Sequence, residues 1–183
     1  MALPLRLALV LLIAFPLPAR AAPERWAIVG VWDIGYYPAT GGCLAFAAFD
    51  DTAFFIGFDT RDGVEAIDIT VLDERWASIE PGTTYPVTVT FGNEPPWTLD
   101  MRGVFMDGAP GLNILVDASR PKSAELIAEF RRETRMTWAY GDTRLGRFTL
   151  KGSRRAFDAV RACQKNRQVL AETPLPTNAA AQQ

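Results

Sequence analysis

The chain contains no histidine and only two cysteines, three lysines and four serines in 183 residues. Each shortage closes off a chemistry. Without histidine there is no Ser-His-Asp or Cys-His nucleophile, no His-ligated zinc and no imidazole pH switch. Cys43 and Cys163 cannot complete a zinc site of the usual kind by themselves. None of Ser78, Ser119, Ser123 and Ser153 stands in a G-x-S-x-G elbow. Lys122, Lys151 and Lys165 have arginine or polar company, not the apolar surroundings that lower an amine pKa. Carboxylates remain. Most sit at turns, and the two inside strands, Asp68 and Asp100, fall on the polar phase. No catalytic residue, cofactor or metal is therefore expected.

Internal repeats are also absent, and no run reaches the about 20 apolar residues that span a bilayer. The apolar stretch at the start, Leu7 to Leu17, is shorter and is broken by Pro16. It follows Arg6 and precedes Ala19-Arg20-Ala21, an A-x-A cleavage site. Residues 1–21 thus read as a signal peptide, with cleavage leaving Ala22 first and a mature chain of 162 residues. That length suits one domain, placed at residues 22–166, followed by a Pro-, Thr- and Ala-rich tail over 167–183 that reads as disordered. The product is expected to be periplasmic or secreted, monomeric, and without stable membrane insertion.

In an oxidising compartment two cysteines suggest one bridge, and only Cys43–Cys163 can be drawn. It would close a loop of about 120 residues, worth roughly 5 kcal/mol at most on the chain-entropy account.

Short strands separated by Gly, Pro, Asn and Asp turns fill the body. The pattern predicts a first strand over Trp26–Trp32, apolar on both faces, then a loop over Asp33–Gly42. Cys43–Phe49 and Ala53–Phe58 form an apolar hairpin around Asp50-Asp51-Thr52. Val64–Leu72 and Tyr85–Phe91 alternate as strands, and Leu99, Met101 and Phe105 continue the alternation. Asp107-Gly108 turns into Leu112–Val116. The period then becomes helical between Pro121 and Glu133, with Ser119 or Arg120 opening the helix. Met136, Trp138 and Tyr140 return to alternation, Arg144–Leu150 follows, and Ser153 caps a last helix carrying Ala156, Phe157, Val160 and Cys163. Eight or nine strands with two helices in the C-terminal third imply a mainly β fold. An antiparallel β-sandwich or flattened barrel fits, as does an α+β sheet with both helices on one face.

The order Trp32, Gly41-Gly42-Cys43-Leu44-Ala45-Phe46, Phe55-Ile56-Gly57-Phe58, Trp76 to Gly82, Tyr85, Leu150 to Ser153, Ala156 and Cys163 resembles a group of uncharacterised small exported proteins of alphaproteobacteria. The stretch Phe148 to Ser153 with Ala156 is similar to the end of the invasion-associated locus B family, which are periplasmic β proteins. Neither resemblance implies a catalytic residue.

Candidate binding residues come from aromatic and basic clusters. Trp32, Tyr36 and Tyr37 lie in or beside a Gly/Pro loop, and Trp97 follows Pro95-Pro96; aromatic faces stack on sugar rings. Arg154 and Arg155 open the last helix, where the dipole opposes positive charge, a small cost that marks them as a candidate anion site. Asp59, Asp62 and Glu65 surround Gly63 but lack the spacing of a calcium loop. Charge is uneven: net −11 over residues 22–117 and +7 over 118–183, which suits either mutual neutralisation or a basic face. An acidic exported chain is not expected to bind nucleic acid. These features favour a non-enzymatic envelope protein binding a protein or glycan. A carrier of a small apolar ligand in an internal cavity is the alternative. A hydrolase with two carboxylates about 5–9 Å apart is the third.

Overall fold

The computed structural model describes residues 21–172. The expected leader, apart from Ala21, and the tail beyond residue 172 lie outside these. Ten strands and two helices follow in order: β1 Glu24–Val29, β2 Trp32–Tyr37, β3 Gly42–Phe49, β4 Thr52–Asp59, β5 Ala66–Asp73, β6 Thr84–Phe91, β7 Trp97–Met106, β8 Ala109–Asp117, α1 Pro121–Arg132, β9 Arg135–Tyr140, β10 Thr143–Thr149 and α2 Ser153–Glu172. The fold is mainly β, with every adjacent strand pair antiparallel.

The strands make one sheet in the order β1-β2-β3-β4-β5-β8-β7-β6-β9-β10, so it stays open and does not close into a barrel. It does fold over on itself. β4 and β9 are five places apart, a separation of about 24 Å in a flat sheet at the usual strand spacing. Yet the Phe54 and Trp138 rings meet at 6.0 Å. The two halves of the sheet therefore face each other across one core, as in a sandwich, and α1 and α2 contribute Leu126, Ile127, Phe130, Phe157 and Val160 to that same core.

The first strand differs from its sequence reading. Residues Glu24 to Tyr37 make a hairpin turning at Gly30-Val31, with Val29 opposite Trp32. Gly30 sits at φ 64, where a residue without Cβ is unstrained. β1 is an edge strand, so Trp26 and Ile28 are 44% and 64% exposed, not covered on both faces. Half of the segment expected to be a loop is β2, Gly42 opens β3, and only Pro38–Gly41 turn.

α2 lies over β1–β4 with Ala156, Phe157, Val160 and Cys163 fully buried. The Cys43–Cys163 disulfide is formed, with Cα atoms 6.0 Å apart, and pins α2 to β3. Next to it, Gln164 Oε1 accepts the Cys43 N–H at 2.9 Å. Ser153 does not cap α2. Its hydroxyl donates to the Phe130 carbonyl at 2.8 Å, joining the two helices, while the Gly152 carbonyl accepts the Ala156 N–H. Arg120 precedes α1 with no side-chain cap. α2 also runs to Glu172, past Arg167 where the tail was expected to start. Arg167 explains the extra turns: it pairs with Glu24 and lies 4.2 Å over the Tyr36 ring.

Candidate functional site

Alternation places Cys43, Ala45, Phe54, Ile56, Phe58, Ile67, Ile69 and Val71 in the core. The intervening residues of β3, β4 and β5 must point to the other side of the sheet. There Leu44 pairs with Gly57 and Gly57 with Asp68, while Phe46, Phe55, Thr70 and Asn113 form the next row. A side chain at 57 would run into the β3 backbone, 2.1 Å from the Cys43 carbonyl oxygen, so the row between Leu44 and Asp68 has an empty middle.

This outer face is covered in part, with Ala48 and Leu115 exposed on it. Leu44 and Leu72 are buried, and Asp68 and Thr70 are only 4% and 3% exposed. The polar phase assigned to Asp68 is therefore a second, smaller interior; Asp100 remains exposed. Strands β3 and β4 are apolar on both faces, and whatever shields their outer face shields the neighbouring strand as well.

A pocket of about 150 Å³ opens on this face, lined by Tyr37, Leu44, Phe55, Leu72 and Met106, with Asp68 among them. The Tyr37 and Phe55 rings meet edge to face at 6.0 Å. Asp68 Oδ1 accepts the Thr70 hydroxyl at 2.7 Å and Asn113 Nδ2 at 2.9 Å, and Asn113 also donates to Thr70 Oγ1 at 2.7 Å. No residue in the described chain donates to Asp68 Oδ2. Burial pushes this carboxyl above its ordinary value, and the charge of Asp59 pushes the same way. The hydrogen bonds from Thr70 and Asn113 and the charge of Arg61 oppose it. Tyr37 is raised as well, first by burial and then by Asp33.

Asp59 is buried but clasped by Arg61 through Nε, Nη2 and the backbone N–H. Among the described residues no group of three His, Cys, Asp or Glu side chains could hold a metal ion.

The residues singled out from sequence are dispersed. Trp32 is fully buried, its indole N–H on the Lys151 carbonyl at 3.1 Å, and it offers no face to a ligand. Tyr36 and Tyr37 are strand neighbours, so they point to opposite faces: Tyr36 toward α2, Tyr37 into the pocket. Trp97 is half-buried and donates to Glu129 Oε2 at 2.7 Å, tying β7 to α1. Arg154 and Arg155 are exposed on the first turn of α2. Only Tyr37 belongs to the pocket. Asp68 stood out in the sequence only as a strand carboxylate on the polar phase, and Thr70, Asn113, Leu44 and Phe55 were not candidate binding residues; the double-faced apolar hairpin was the available signal.

A second, wider groove of about 680 Å³ lies at β6, β9 and β10, bordered by Trp76, Tyr85, Tyr140 and Arg144. Among the described residues no helix is long and apolar enough to cross a membrane. Compared with known proteins, the chain matches no family model, no curated protein and no solved structure.

Proposed function

We propose that this is a non-enzymatic binding protein of the periplasm or exterior that holds a small ligand in the Asp68 pocket. One observation carries the reading: a carboxyl that is 4% exposed keeps one oxygen without a donor among the described residues, in a pocket walled mainly by rings and aliphatic side chains together with Thr40, Thr70 and Asp107. Ligand sites have this composition, apolar walls with a few placed polar groups. The space between the sheet halves is filled by Trp32, Phe54, Phe130 and Trp138, so the carrier reading moves from an internal cavity to the outer face. The disulfide and the Ala19-Arg20-Ala21 site support the compartment.

The test is a small-molecule screen read by amide chemical shifts of the processed protein. Ligands should shift Tyr37, Leu44, Phe55, Asp68 and Leu72 together. Shifts confined to Tyr85, Tyr140 and Arg144 would refute the pocket and favour a second reading, a glycan in the wider groove. The exposed Tyr140 ring, set against Tyr85 at 5.5 Å, supplies a stacking face there.

A further inference from the structure

The side chains lining the pocket around Asp68 include two carboxylates, Asp68 and Asp107, and no lysine or arginine. Ala21 and Pro23 also line it, so cleavage after Ala21 would place the Ala22 α-ammonium at its rim, with the acids still in excess by one charge. An anionic ligand would meet the buried carboxylate with only that terminal amine and the charge of Arg61 to offset it. A neutral apolar ligand would cover Asp68 Oδ2 and leave it neither hydrated nor paired, which is costly for a buried polar atom. An ammonium group reverses this: it donates charge-assisted hydrogen bonds to the unpartnered oxygen. Thr70 and Asn113 both donate to Oδ1, so the carboxylate is held from one side while Oδ2 stays available. Tyr37 and Phe55 add aromatic surfaces on which cations are stabilised. At about 150 Å³ the space is smaller than a drug-sized site and fits a compact molecule or one end of a longer one.

We infer that the ligand is a small organic ammonium ion, its nitrogen on Asp68 Oδ2 and its apolar body against Tyr37, Phe55 and Leu72. This inference rests on the pocket being the ligand site and adds the charge of the ligand. Calorimetric titration of the processed, disulfide-bonded protein at neutral pH tests it with three probes sharing one ring: benzylammonium, benzyl alcohol and benzoate. Benzylammonium should bind saturably, roughly tenfold or more tighter than the alcohol, with benzoate weakest. Asp68→Asn should bring the ammonium and the alcohol to within about twofold of each other, while Asp142→Asn, in the exposed turn between β9 and β10 and outside the pocket, keeps the ammonium preference. Equal or tighter binding of the alcohol by the unmodified protein would overturn the ammonium assignment and leave the pocket as a ligand site. Absence of binding by all three would overturn both. An ammonium preference that survives in folded Asp68→Asn would place the cation elsewhere and overturn the assignment.

Discussion

Asp68 and Asp73 lie on the same strand and answer to opposite forces. At Asp73, Arg75 Nε and Nη2 reach the carboxylate at 2.8 and 2.6 Å and the Thr52 hydroxyl at 2.7 Å. These hydrogen bonds, Arg75 first, hold its pKa down at about 2 from 3.8. A lowered carboxylate pKa stabilises the fold above the unfolded value, and that contribution is lost as pH falls from about 4 to about 2. Because Arg75 is solvent-facing, roughly 1–2 kcal/mol is expected. At Asp68 burial raises the pKa, so between its ordinary and raised values the folded state holds more protons than the unfolded one. Stability there falls as pH rises. Urea midpoints against pH should show Asp73→Asn removing the acid limb and Asp68→Asn flattening the fall above pH 4. An unchanged profile in either variant would contradict the assigned cause. Asp68 also marks where sequence reading was least informative: alternation puts it opposite the core, but nothing local tells that the opposite face is itself covered in part.

Among the elements, α2 depends most on a single link. Its buried stripe is short, and the disulfide and Gln164 fasten it to β3. Reduction, or Cys43→Ala with Cys163→Ala, should cost roughly 2–5 kcal/mol in denaturant unfolding, since the bridge closes so long a loop. Hydrogen exchange should show α2 losing protection before β4 and β5. Uniform loss would mean that the helix is held mainly by its apolar stripe. The helices, most strands and the pairing of the cysteines were legible in sequence, because period and an even cysteine count report locally. The β1–β2 hairpin was not. Gly30-Val31 is flanked by apolar residues and lacks the Asn-Gly or Asp-Gly signal, so the chain reads as one strand until pairing shows the turn.

At the scale of the whole molecule, Phe54 joins what the sheet order separates. Its ring meets Trp32, Phe130, Trp138 and Phe148 at 6.0–6.4 Å. Phe54→Ala should therefore cost about 3–5 kcal/mol and lower the thermal midpoint without abolishing the disulfide. A cost near that of an exposed substitution would mean that the two halves of the sheet are not packed through this ring. Charge works less globally. Of the ion pairs, Arg132–Glu94 and Arg167–Glu24 link the basic and acidic parts at long range, and Arg120–Asp117 does so locally. The acidic N-terminal part pairs largely within itself, through Arg25–Asp33, Arg61–Asp59 and Arg75–Asp73.

The amino-acid order alone determined that the protein is mainly β with two late helices, that one disulfide is possible, and that histidine-based chemistry is closed to it. These properties depend on residue type and on neighbours a few positions away. Tertiary structure decided that the sheet stays open and folds over, that Trp32 is core, and that Asp68, Thr70 and Asn113 meet beside Tyr37 and Phe55. Those outcomes depend on which strands lie side by side. β5 pairs with β8 at sequence separations of 39 to 51 residues, and a strand's own alternation says which residues share a face, never what covers that face.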